Sequence, residues 1–153
     1  MKSSNYNDAR SDLRETARDL KKDVREQARE TFNTVKDAAK EKKQEIKDEF
    51  RATRDMERAI DDSFSRQNIR DARKEARAEK DAVNYEVSAS RETIGDERVD
   101  FRENVAQLKR EARQSNNASA VYRKAERMAD SAVSTKNAMD ADMLGSLDDI
   151  ENI

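Results

Sequence analysis

Residues 11–54 read SDLRETARDLK, KDVREQARETF, NTVKDAAKEKK, QEIKDEFRATR: four consecutive blocks of eleven. The third position of each block is Leu13, Val24, Val35 and Ile46, and the seventh is Ala17, Ala28, Ala39 and Phe50. Leu20 joins them in a thin apolar stripe. A basic stripe runs beside it through Arg14, Arg18, Lys21, Arg25 and Arg29, then Lys36, Lys40, Lys43, Lys47, Arg51, Arg54 and Arg58. An acidic stripe runs through Asp12, Glu15, Asp19, Asp23, Glu26 and Glu30, then Asp37, Glu41, Glu45 and Asp48. All three advance in steps of 4, 3 and 4. Eleven residues per repeat is about 3.67 residues per turn, so a helix holds each stripe on nearly one face.

Outward from this stretch the same lattice continues more weakly through Ala72, Ala76, Val83, Val87, Ile94, Phe101, Val105, Leu108 and Ala112. Its register is displaced by four residues, which marks a turn or stutter over residues 61–68. Gln114-Ser115-Asn116-Asn117 is a second break, built of residues that satisfy backbone groups outside helices. Beyond it Val121, Ala125, Met128, Ala132, Thr135 and Met139 step as a heptad. The expected organisation is an N-terminal tail over 1–7 and a first long helix over 8–60. A second helix follows over 69–113, with a weak point at 88–96 around Gly95, then a third over 118–144. An acidic-apolar tail over 145–153 completes the chain, set off by Gly145.

The fold class is all-α: long amphipathic helices of 11-residue periodicity in an extended coiled-coil or helical-hairpin architecture with a shallow core. Composition agrees. Proline is absent, glycine occurs twice, and 43% of residues are charged with a net charge of −2. Leu, Ile, Val and Phe make up only 23 of 153 residues, so little apolar area is available for burial. The residues expected at helix–helix contacts are Leu13, Ala17, Leu20, Val24, Ala28, Phe32, Val35, Ala39, Ile46 and Phe50 in the first helix. In the second they are Ala72, Ala76, Val83, Val87, Ile94, Phe101, Val105 and Leu108. Phe32 stands where the basic stripe would place a cation, and Thr31 and Lys42 interrupt the apolar seam.

The stripes give the first helix one basic and one acidic flank, each about 80–140° from the apolar centre. In a parallel pair of copies, basic meets acidic along the seam; in an antiparallel pair, like flanks meet. Parallel self-association, or packing against other helical proteins with complementary flanks, is therefore expected. Exposed pairs contribute about 0–1 kcal/mol each, so the stripes select direction more than they stabilise.

Glu30 to Lys43, ETFNTVKDAAKEKK, resembles the 11-residue repeats of group-3 late-embryogenesis-abundant proteins, and the resemblance extends over residues 11–54. It implies a hydrophilic stress protectant that turns helical on drying or on anionic membrane surfaces.

No His or Cys is present, which removes nucleophilic triads, zinc sites and thiolate chemistry. Two distant glycines cannot make a phosphate loop. No catalytic residue, metal ligand or cofactor is expected, and no enzyme. A membrane surface is not favoured, because a membrane-lying helix carries basic residues on both sides of its apolar face. Nucleic acid is disfavoured because an equal acidic stripe lies alongside the basic one, and no aromatic residues are interleaved. The tail, with Met143, Leu144, Leu147 and Ile150, reads either as a helix end folded back on the bundle or as a docking peptide. Without a signal-peptide segment or an apolar run long enough to span a bilayer, an intracellular location is expected, soluble or within a macromolecular particle. Together these features describe a non-enzymatic structural protein that works by helix–helix assembly, as a component of a larger particle or filament. The alternative is the protectant.

Overall fold

With no proline to break the backbone ladder and an apolar stripe to bury, the chain forms three α-helices and, among the described residues, no strand. The computed structural model describes the backbone from residue 2 to residue 153 and the side chains from residue 5. The helices are α1 (Lys2–Ile60), α2 (Ser65–Arg113) and α3 (Ala118–Glu151).

Two short connections join them, each stopped by local chemistry. Asp61 adopts a left-handed backbone conformation (φ 49°) and its N–H donates to the Glu57 carbonyl, closing α1. Asp62 then caps α2. The Asp62 carboxylate accepts from the Phe64 N–H at 2.8 Å, and Ser65 Oγ accepts from the Asp62 N–H at 3.0 Å. This reciprocal cap restarts the helix at Ser65, four residues before the expected position. At the second connection Asn117 Oδ1 accepts from the Ala120 N–H at 2.8 Å, an N-cap worth about 1 kcal/mol.

Two other expected boundaries move. The N-terminal tail is helical from Lys2, because Tyr6, Ala9 and Leu13 extend the apolar spacing backwards. Ala9 is fully buried, and Tyr6 packs on the same cluster with the Arg10 guanidinium 5.6 Å from its ring centre. At the other end α3 passes through Gly145 to Glu151. A helical glycine costs about 1 kcal/mol, whereas burying Ile150 one turn further on returns about 1.5–3 kcal/mol, so burial wins. Likewise α2 runs unbroken across 88–96, where Ile94 is buried beside Gly95.

The chain divides into two compact units, each drawing on all three helices. The first unit comprises the chain up to Phe32 together with Glu92–Asp142. Its core is Ala9, Leu13, Ala17 and Val24 from α1, Ile94, Phe101, Val105, Leu108 and Ala112 from α2, and Val121, Met128, Ala132 and Met139 from α3. Here α1 and α3 run parallel: Asp12 meets the Tyr122 hydroxyl at 3.4 Å, and Gln27 meets Asp140. Helix α2 runs antiparallel to α3, with Lys124–Glu111 at 3.1 Å and Asn104–Ser131 at 2.6 Å.

The second unit comprises Asn33–Arg91 and Met143–Ile153, and its core is thinner: Val35, Ala39, Ile46, Val83 and Ile150. The two seam interruptions find partners, one in each unit. In the first, Thr31 is 2% exposed and its hydroxyl donates to the carbonyls of Gln27 and Ala28 within its own helix. In the second, Lys42 Nζ donates to the Glu151 carbonyl at 3.2 Å, placing a cation at the C-terminus of α3.

Candidate anion-binding and helix-docking surfaces

In the first unit the basic flank of α1 lies against basic residues of α2. Arg14, Arg18, Lys21, Lys22 and Arg25 from α1, with Arg98, Arg102 and Lys109 from α2, line a groove of about 620 Å³. All eight lining side chains are cationic. A smaller hollow of about 130 Å³ shares Arg14 and Lys109 and adds Arg10, Arg113, Leu13 and Ala112. Burial, and then the charges of Lys21, Arg113 and Arg14, push the Lys109 ammonium below its ordinary value. The short connection at 61–64 makes α1 and α2 antiparallel, and in the first unit basic residues of both helices line one groove. The spacing of Arg98, Arg102 and Lys109 (steps of 4 and 7) carried the signal that they share one face. What the spacing lacked was which face of α1 they would meet.

Carboxylates meet carboxylates on the α2/α3 side. In the first unit Glu97 Oε2 and Asp142 Oδ2 are buried without a hydrogen-bond partner. A proton held between the two groups would supply that bond. Burial first, then Asp142 as hydrogen-bond partner and as charge, and then Asp100, push Glu97 up to about 8. In the second unit Glu86 is raised by burial and by Asp149 in the same way.

The second unit also holds an unfilled hollow between α1 and α2. Ile46, Phe50, Thr53, Ala72 and Ala76 form its floor, and Glu49, Glu75 and Glu79 its rim. The Arg73 and Arg54 guanidinium groups stand 5.6 and 6.0 Å from the Phe50 ring centre. Between Ile46 and Val83 the single buried residue is Ser65. Met56, Ile60 and Phe64 are 62%, 57% and 69% exposed.

The residues expected at helix contacts fall into three groups. Leu13, Ala17, Val24, Ile94, Phe101, Val105 and Leu108 are buried in the first unit, with Leu20, Ala28 and Phe32 partly buried against them. Val35, Ala39, Ile46 and Val83 are buried in the second unit, with Ala76 and Val87 packed on them. Phe50 and Ala72 are half-buried in the open hollow. In the tail, Ile150 is buried and Met143 packs against the same cluster. Leu147 lines a hollow facing Ala38 and Glu41 of α1, and Leu144 is 61% exposed. Ile150 and Met143 thus pack on the chain's own helices, while Leu144 faces outward.

Among the described residues no group of three or more His, Cys, Asp or Glu side chains converges as a metal site. No helix among them is long and apolar enough to cross a membrane. Comparison with protein-family models, with curated proteins and with solved structures finds no match.

Proposed function

We propose that the chain is a non-enzymatic assembly protein whose α1/α2 hairpin, residues 47–82, packs against the same hairpin of a second copy. The observation that carries this reading is the missing core: a 36-residue hairpin, 32 of those residues helical, in which Ser65 alone is buried. Helical arms of this length are marginal in water without a packed face. A second hairpin supplies that face. It covers Phe50, Ala72 and Ala76 and draws in Met56, Ile60 and Phe64. The hairpin carries ten basic and ten acidic side chains, so two copies meet without net repulsion. Arginines such as Arg51, Arg58, Arg70 and Arg77 then reach the glutamates rimming the neighbour's hollow. The flank order of the α1 stripes favours a parallel arrangement, tips together.

Static light scattering across a concentration series tests this. The chain is expected at twice its 17.6 kDa mass as concentration rises. Ile60→Asp combined with Phe64→Asp should return it to the single-chain mass. Both positions are exposed in the free chain, so folding changes by under about 0.5 kcal/mol. The chain has no native cysteine, so Ala59→Cys is a clean probe of direction, and the parallel arrangement gives a disulfide joining the two copies through the introduced thiols. A single-chain mass at every concentration contradicts the proposal.

The 11-residue repeats support a second reading, a hydrophilic protectant. A far-ultraviolet circular dichroism spectrum of a disordered chain in dilute buffer that turns helical in trifluoroethanol would favour it.

A further inference from the structure

The basic groove of the first unit is not used by the hairpin association, and it is a built feature with two walls. We propose that it binds a row of phosphates, as presented by inorganic polyphosphate or by a nucleic-acid backbone, without reading bases. The argument starts from its cost. Cations placed side by side repel, and the groove concentrates them in a chain whose overall charge is −2. No carboxylate is among the lining side chains to offset that repulsion. A ligand that brings several negative charges at once relieves it, and a single free phosphate does not span it. From Arg14 to Arg25 the α1 wall runs eleven residues, about 16 Å of helix. That length accommodates several successive phosphates.

The lining also selects among anions. Arginine forks pair with phosphate oxygens in bidentate geometry, and five of the eight side chains are arginine. An acidic peptide helix would need an apolar floor beneath its seam, and the eight lining residues provide none. A flat anionic bilayer does not reach into a recess between two helices. Base stacking has no platform, because no aromatic side chain lines the groove. Asp12, the first member of the acidic stripe that weighs against phosphate binding for the isolated helix, faces α3 instead, where it accepts from the Tyr122 hydroxyl. The groove is thus a local site whose charge the sequence total conceals.

The test is fluorescence anisotropy with the full chain and two labelled probes, inorganic polyphosphate and a twenty-nucleotide oligothymidylate. Polyphosphate is expected to bind. Its affinity should fall about 100-fold between 50 and 200 mM salt, the slope for about five neutralised phosphates on a flexible strand. Arg18→Glu combined with Arg102→Glu should lower affinity at 50 mM salt by at least about tenfold and flatten the salt slope. Lys40→Glu combined with Lys43→Glu, in the second unit and outside the 47–82 hairpin, should leave both unchanged. The groove variant also removes repulsion, so its thermal midpoint should be equal or higher, which separates lost binding from lost folding. Oligothymidylate binding as tightly as polyphosphate makes the nucleic-acid backbone the source, and polyphosphate alone makes it the free polymer; either supports the site. Three results overturn it: neither probe binding at 50 mM salt, the groove variant binding like the parent chain, or polyglutamate binding more tightly than polyphosphate.

Discussion

Phe101→Ala is expected to destabilise the first unit by about 3–5 kcal/mol. Phe101 is the bulkiest of the fully buried side chains at 2% exposure, and it sits on α2 within a cluster fed by all three helices. Removing the ring takes away its transfer free energy and leaves a void in a cluster held in place by three separate helices. Single domains are stable by only about 5–15 kcal/mol, so the loss is a large share of the total. Urea unfolding followed by circular dichroism measures it. Leu144→Ala, at a site 61% exposed, is the control and should stay within about 0.5 kcal/mol. A Phe101→Ala loss below about 1 kcal/mol would mean that the three helices do not share this core.

Glu97→Gln is expected to stabilise the chain in alkaline buffer and to do little in acid. In the folded chain Glu97 is held near 8 by burial, by Asp142 and by Asp100, against an ordinary value of 4.5. The folded state therefore binds the proton more tightly than the unfolded state. The stability linked to that proton is fully present below pH 4.5 and is lost as pH rises through 8. Glutamine keeps a neutral hydrogen-bonding group at every pH. Because Glu97 is only half-buried, water screens the effect to about 1–2 kcal/mol. Thermal melts at pH 5 and pH 8.5 should show a gain of about 2–6 °C for Glu97→Gln at the higher pH only. A difference independent of pH would show that the two carboxylates do not share a proton. Glu86 beside Asp149 contributes with the same sign in the second unit.

Much of the all-helical fold was legible in the repeats. The third-position residues Leu13, Val24, Val35 and Ile46 are buried at 4%, 0%, 0% and 3% exposure, because the stripe that makes a helix amphipathic is the stripe it buries. Periodicity identifies a face but not its neighbour. Flank charge favoured basic against acidic, yet α1 meets α2 with arginine and lysine on both walls. The physical reason is a difference in magnitude. Exposed charge pairs contribute about 0–1 kcal/mol each, whereas each buried Val, Leu or Phe returns about 1.5–3 kcal/mol. A four-residue connection at 61–64 forces the antiparallel hairpin, and closing so short a loop costs little entropy. The basic groove follows from that outcome, as do the carboxylate pairs along α2/α3. Each needs two helices brought together, and no single stripe encodes the pairing. Thr31 and Lys42 read as faults in the seam because their partners, a carbonyl one turn back and the end of α3, are invisible to a hydropathy pattern.

Assembly through the hairpin is the central claim, and amide hydrogen exchange read by mass spectrometry tests it most directly. At low concentration, peptides within 47–82 should exchange far faster than those around Val24, Phe101 and Met128. At concentrations where the mass doubles, the same peptides should become protected, Phe50 to Ile60 and Ile69 to Ala76 most of all. Protection of 47–82 that is already high in the dilute chain, or that stays unchanged as copies associate, would contradict the account.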